Sequence, residues 1–347
     1  MERPDRPQTI KIKQVAELAG VAPSSVSRAL NDHPDVSAEM RARVLAAAER
    51  LGYQPNFLAQ SLRRGVSRTV GFIVRDISIP LFAGIVKGAE QALESHGYSI
   101  LLTNSLREPA LEAKYITVLE QRSVDGLILS LQSESSPDTL AALRRLRVPA
   151  VLLDRELPGF DLDAVVFDHA AGVRDAVASL LRLGHRHVGL VVDSARIRAS
   201  RERRRGFLRA HEEAGLAPAA GAIVEVGVFS PRAALEAALS LLDAKPPPTA
   251  IVAGDSQLGV GLLTALHERR LRQGIDVDVV VCDDVDLLAL MDPPISVVQR
   301  DAEEMGTVAA QLLVKRLADA TAPPMVTVLP TRFIPRGSTG PAKRAGT

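Results

Sequence analysis

Ser24, Ser25, Ser27 and Arg28 fall within Ala22-Pro23-Ser24-Ser25-Val26-Ser27-Arg28-Ala29-Leu30, a stretch whose apolar residues recur at helical spacing. Three hydroxyls and a guanidinium opposite Val26, Ala29 and Leu30 can reach base edges and phosphates in a major groove. Pro23 stands at the first helical position, where a missing N–H costs nothing. Each of the four polar side chains taken alone also reads as an ordinary solvated helix residue, and the pattern is more specific than its parts. A second group is acidic. Asp76, Asn104, Asp154, Asp193, Gly254-Asp255 and Asp283-Asp284 each follow a short apolar run, so in a parallel sheet they gather at the strands' carboxyl ends, where ligands bind. Turn formation and helix capping explain Asp and Asn at such positions equally well.

Three helices must position the first group. Ile12, Val15, Leu18 and Ala19 are expected to share one face of a first helix, which meets the second at an Ala19-Gly20-Val21 turn. Ser37 reads as the N-cap of a third helix, with Glu39 well placed against its dipole, Val36, Met40, Val44, Ala47 and Leu51 facing inward, and Gly52 as the stop. So small a bundle is expected to be marginally stable. Beyond Gly65 the pattern changes. Apolar strands at 70–74, 98–102, 126–129 and 150–153, then 187–192, 222–226, 250–253 and 277–281, alternate with helical segments such as 82–96 and 111–122. That alternation predicts two successive α/β units with parallel sheets covered on both faces, and a cleft between two lobes.

A length of 347 residues predicts more than one domain. The formal net charge of +1 gives no whole-chain attraction to nucleic acid, and up to Arg64 ten basic side chains face only seven acidic ones. DNA affinity is therefore expected to depend on geometry and dimerisation more than on bulk charge. Cys282 is the one cysteine, which excludes an intrachain disulfide and a cysteine-rich metal site. The start of the chain has no apolar signal core and no run is long enough to span a bilayer, so a cytoplasmic protein without membrane contact is expected. No nucleophile elbow, P-loop, Gly-x-Gly-x-x-Gly or His-Glu-x-x-His occurs, so neither an enzyme nor a cofactor is expected. His185 and His187 flank Arg186, with no third metal ligand evident.

Residues 10–65 resemble the DNA-binding head of the LacI/GalR transcriptional regulators, and the resemblance continues through most of the chain. It is carried by Ala22 to Leu30, by Ala48-Glu49-Arg50-Leu51-Gly52-Tyr53, and by Pro55-Asn56 leading into Leu58-Ala59-Gln60-Ser61-Leu62-Arg63. The resemblance implies an all-α helix-turn-helix head (10–55), a hinge helix and linker (56–66) and a two-lobed core like that of periplasmic sugar-binding proteins (67–336). The first lobe would comprise about 68–167 and 299–322, the second about 168–298 and 323–336, with crossovers near Asp168, near Val298 to Arg300 and near Ala322 to Met325. Pro23, Ser24, Ser25, Ser27, Arg28, Asn56, Ala59 and Leu62 would contact DNA, Leu62 as a minor-groove wedge from paired hinge helices; a plain linker is the competing reading of that segment.

The resemblance also implies an effector in the cleft, held by Arg203 and Asp283, with Phe229 against it. Asp76, Phe82, Asp154 and Asp255 complete the candidate set. Arg203 lies in a run with Arg201, Arg204 and Arg205 that equally reads as a solvated helix face. Ile79 before Pro80, Asp168-His169 and Asp255-Ser256 depart from the residues common in the family, so the effector's identity cannot be carried over. A homodimer on double-stranded DNA with a pseudopalindromic operator is expected, because one head reads one half-site and the tail beyond Arg336 carries no heptads. The expected function is a repressor controlled by a small polar effector, a sugar or an organic acid. A solute-binding protein or an enzyme on the same two-lobed core is the alternative.

Overall fold

The computed structural model describes residues 10–31, 33–53 and 65–342. They form two compact units that divide between Ser67 and Arg68.

The first unit holds α1 (Ile12–Ala19), α2 (Pro23–Leu30) and α3 (Ala38–Leu51). Gly20 ends α1 at φ 64°, a left-handed conformation that suits glycine, and its turn delivers the chain to Pro23 at the start of α2. Ser37 Oγ accepts the Met40 N–H at 3.2 Å and caps α3. Val15, Ala16, Ala19, Val26, Ala29, Val36, Val44, Ala47 and Ala48 form the core, with Ile12, Leu30, Met40 and Leu51 packed at its margin. Leu18 is not among them. It is 41 % exposed, because Ile12, Val15, Ala16 and Ala19 already define the inward face and Leu18 lies off it.

The second unit contains two six-stranded sheets. β1 (Thr69–Val74), β2 (Ser99–Asn104), β3 (Gly126–Leu129), β4 (Ala150–Leu153), β5 (Asp163–Phe167) and β11 (Val326–Leu329) make the first, in the order β11-β5-β4-β3-β1-β2, every neighbouring pair parallel. β6 (Val188–Asp193), β7 (Ile223–Val226), β8 (Ala250–Ala253), β9 (Asp278–Cys282), β10 (Ser296–Arg300) and β12 (Thr331–Ile334) make the second, in the order β12-β10-β9-β8-β6-β7. Only β12, paired with β10, runs antiparallel.

Helices α4 (Pro80–Glu94) and α12 (Ala302–Ala318) cover one face of the first sheet, and α5 (Pro109–Gln121) and α6 (Pro137–Arg145) the other. In the second lobe α7 (His169–Arg182) and α8 (Arg198–Glu213) lie opposite α9 (Pro231–Leu242) and α10 (Ser256–Glu268). A short α11 (Asp286–Ala289) follows β9. Central strands buried on both faces explain why they read as unbroken Val, Ile and Leu runs. A methyl group at Gly306 would overlap the Ile85 carbonyl oxygen, so glycine there is what lets α12 pack hard against α4.

The chain passes between lobes three times, at Asp168, at Asp301 and at Pro330. The third passage lies beyond the expected 322–325, and 326–329 belongs to the first lobe while 299–300 belongs to the second. Asp163 is the cause: it binds Arg316 of α12 at 2.8 Å and accepts the Met325 N–H at 2.8 Å, setting the returning chain beside β5. Pro330, lacking an N–H, then stands between β11 and β12 as a residue that extends neither ladder.

Candidate effector cleft and DNA-reading head

In the head, Pro23, Ser24 and Arg28 are exposed and Ser25 and Ser27 half-buried, so the polar face of α2 is open to a ligand along most of its length. The Asn31 side chain donates to the Ser27 carbonyl oxygen at 2.6 Å and tightens the end of α2. Asn56, Ala59 and Leu62 lie outside the described residues.

In the second unit the carboxyl ends of both sheets face a narrow cleft between the lobes. Its lining includes Phe82, Asp154, Arg203, Asp255 and Asp283 from the candidate set, together with Arg75, Arg107, Asp193 and Arg300. Asp76 and Phe229 are not in the lining. They brace Arg107 instead: Asp76 Oδ2 is 3.5 Å from its Nε, and the Phe229 ring stacks 4.0 Å from its guanidinium carbon, joining the first lobe to the second. Asp255 lines the cavity and also caps α10, accepting the Leu258 N–H at 2.8 Å.

The floor of the cleft is built on Arg300 at the end of β10. Its Nε donates to Asp283 Oδ1 at 2.7 Å, its Nη2 donates to the same oxygen, and its Nη1 reaches Asp154 Oδ2 at 3.4 Å. His169 Nε2 lies 2.8 Å from that oxygen, and Asp283 Oδ2 accepts the Ser256 N–H at 3.2 Å. Asp154 and Asp283, in different lobes, leave their strands at positive φ (54° and 105°), a conformation Asp tolerates better than most residues. Burial alone would raise the Asp154 pKa, but His169, Arg300 and Arg155 hold it well below the carboxylate range. Burial, aided by Arg203 and Arg300, pushes His169 down to about 3 against the pull of Asp154, so a neutral imidazole at the cleft floor is the stable form.

Around this floor the lobes are tied again by Arg198, whose Nη1 donates to the Phe167 carbonyl at 2.9 Å and whose Nε pairs with Glu156 at 3.0 Å, and by Arg201 with Glu134 at 2.8 Å. Within one arginine run, therefore, Arg198 and Arg201 close the lobes and Arg203 faces the cavity.

Arg75, Arg107 and Arg300 lie outside the set expected from the sequence, because an arginine at a strand end carries no local sign of burial. Each stands where the aspartates stand: Arg75 follows β1 directly, Arg107 follows β2, and Arg300 ends β10. His185, weighed as a metal ligand, is instead tied to Thr249 at 2.8 Å and Asp278 at 3.1 Å. Cys282 is buried, which lifts its thiol to about 11 and leaves it unreactive at neutral pH.

Comparison with known proteins fits both units. Residues 11–56 match the family model described as bacterial regulatory proteins, lacI family, and residues 177–339 match a periplasmic binding protein-like domain. The transcriptional regulator GalS of Salmonella typhimurium is 32 % identical over 310 residues, 89 % of this chain and 90 % of its own. The chain belongs to the lacI family. A regulator of that family is a DNA-binding transcription factor with an effector-binding core. The structure of the transcriptional regulator CelR in complex with cellobiose is 30 % identical, with a TM-score of 0.72, covering 96 % of this lacI-family chain and all of CelR. The lac repressor dimer bound to operator and an anti-inducer shares the fold, with a TM-score of 0.83 at 24 % identity over 96 % of the chain and all of the repressor. Among the described residues no helix is long and apolar enough to cross a membrane.

Proposed function

We propose that this lacI-family regulator represses transcription as a cytoplasmic homodimer on a pseudopalindromic operator, and that a small polar effector in the interlobe cleft sets its operator affinity without any chemical step. The observation that carries the reading is Arg203. Its side chain is 4 % exposed, it lines the cavity, and its buried Nε has no hydrogen-bond partner among the described residues. A buried guanidinium left open towards a cavity is costly unless a ligand completes it.

Two lobes connected by three single-residue passages can change their relative orientation, and Arg300 at the cleft floor already reaches a carboxylate in each lobe. An effector bridging Arg203 and Asp193 of the second lobe to Arg75 of the first favours one orientation over the other. Its differential affinity is the free energy available to shift the head and the 56–66 hinge, proposed here to carry Asn56, Ala59 and Leu62 to the DNA. Pro23, Ser24, Ser25, Ser27 and Arg28 make the base and phosphate contacts of each half-site, which is what the open face of α2 supports. The GalS and CelR relatives and the operator-bound lac repressor support the same assignment by analogy.

The test is selection of operator sequences from random duplex DNA at fixed salt, followed by affinity measurement with a panel of sugars, polyols and organic acids. A pseudopalindromic winner whose affinity shifts with one compound is expected. Enrichment of a site whose affinity no compound shifts removes effector control, and no enrichment with any compound present removes the repressor reading.

A further inference from the structure

The charges around the cleft fall into two sets. Arg300, Asp283, Asp154 and His169 satisfy one another, as described above. Arg75, Arg203 and Arg107 do not have comparable partners. Among the described residues the buried Nε of Arg75 and that of Arg203 are both unpaired, and the Arg75 guanidinium lies over the Phe82 ring at 5.0 Å. Arg107 pairs with Asp76, at 3.5 Å, and stacks on the face of Phe229. Behind them Arg155 is 1 % exposed, donates from Nη1 to the Asp154 carbonyl at 2.7 Å, and leaves Nε and Nη2 unpaired.

Arg75 and Arg107 come from adjacent strands of one sheet and repel each other. Burial first, then Arg155 and Arg107, drop the Arg75 guanidinium to about 9, with Asp193 and Asp255 acting weakly the other way. Asp193, opposite in the second lobe, is shifted upward by burial and by Asp255, with Arg75, Arg107 and Arg203 pulling the other way. The cleft thus sets Arg75 and Arg107 at its first-lobe side across from Arg203 and Asp193 at its second-lobe side, with no carboxylate paired to Arg75 or Arg203 among the described residues.

Sugar hydroxyls alone would leave this repulsion in place. A carboxylate or phosphate cancels it and matches the planar fork of a guanidinium with two parallel hydrogen bonds. We propose that the effector is an anionic metabolite: a carboxylate or phosphate group held by Arg75, Arg107 and Arg203, on a hydroxylated skeleton whose hydroxyl donates to Asp193. The inference rests on the cleft being the effector site. It adds the chemical class of the ligand and two residues, Arg75 and Arg107, that its oxyanion requires.

The experiment uses the full chain and reads thermal unfolding and isothermal titration. Inorganic phosphate is the first probe, against chloride at matched ionic strength. The matched pairs gluconate and glucose, and ribose 5-phosphate and ribose, follow. Phosphate is expected to raise the unfolding temperature saturably in the wild type, not in Arg75→Gln or Arg107→Gln, and partly in the charge-retaining Arg75→Lys. At least one acid should bind ~10-fold or more tightly than its neutral partner, the difference expected for one net charged hydrogen bond; whether it is gluconate or ribose 5-phosphate tells carboxylate from phosphate. Phosphate acting no differently from chloride, with neither acid preferred over its neutral partner, overturns the inference. Tight binding of glucose or ribose in that case leaves the effector cleft standing, whereas an acid that binds through Arg75 without shifting operator affinity overturns the claim that the anion is the effector.

Discussion

The floor of the cleft and its first-lobe rim are made of the same residue types and behave in opposite ways. At the floor, Arg300 is locked between Asp283 and Asp154 with every partner in place. At the rim, Arg75 and Arg107 repel each other and Arg75 has no carboxylate paired to it among the described residues. A matched set of buried charges fixes geometry, and an unmatched set stores repulsion that a ligand can relieve. In this cleft the first holds the lobes in register and the second selects what enters between them.

Breaking the floor should give the largest effect. Asp283→Asn removes the main partner of Arg300, whose side chain is 4 % exposed, and is expected to cost about 3–5 kcal/mol in urea unfolding. A loss below about 1 kcal/mol would mean that the floor is not a matched set and that the contrast with the rim is false.

Next in size is a pH effect behind the rim. Glu112 is fully buried near Arg155 and Arg75, yet burial raises its carboxyl to about 7, with the Gln132 amide and Arg155 opposing. The folded protein therefore keeps a proton that the unfolded chain releases above its ordinary value of 4.5. This raised pKa contributes stability in full below pH 4.5 and loses it as pH rises through 7. The wild type minus Glu112→Gln stability difference should accordingly fall by roughly 3 kcal/mol over that window. A flat difference between the two unfolding curves would show that Glu112 is already ionised and that the rim carries a hidden counter-charge.

In the other unit, Arg28→Ala is expected to weaken binding to the selected operator by about 1–3 kcal/mol if Arg28 grips a base. Equal loss on random DNA in a filter-binding or anisotropy titration would reassign it to a phosphate. The smallest stability effect should come from the rim itself. Arg75→Gln removes an unmatched charge, so its unfolding free energy should stay within about 1 kcal/mol of the wild type, or rise. A loss as large as that of Asp283→Asn would erase the distinction between the two regions.

Much of the fold could be read directly from local patterns. Pro23, Ser37 and Gly52 mark helix ends by chemistry that acts within a few residues, and buried parallel strands announce themselves as apolar runs. The third passage between lobes, at Pro330, lies beyond the 322–325 that the resemblance implies. The decision lies with Asp163, 162 residues from Met325 in sequence, and β11 is an edge strand with Val326 and Val328 exposed, which weakens its apolar signal. At the cleft, the acceptors at strand ends could be found because Asp is expected to collect there. The arginines could not, since an arginine after a strand reads as surface until the opposite lobe buries it. Asp76 and Phe229 illustrate the same limit: their residue types suggest ligand contact, and only the position of Arg107 turns them into its supports.

The central claim is that cleft occupancy and DNA binding are one coupled equilibrium. Its most direct test is to titrate the compound that shifts operator affinity most into the full chain, once free and once saturated with operator. Reciprocity predicts that operator changes the compound's affinity by the same factor by which the compound changes the operator's. The same compound affinity with and without operator would contradict it.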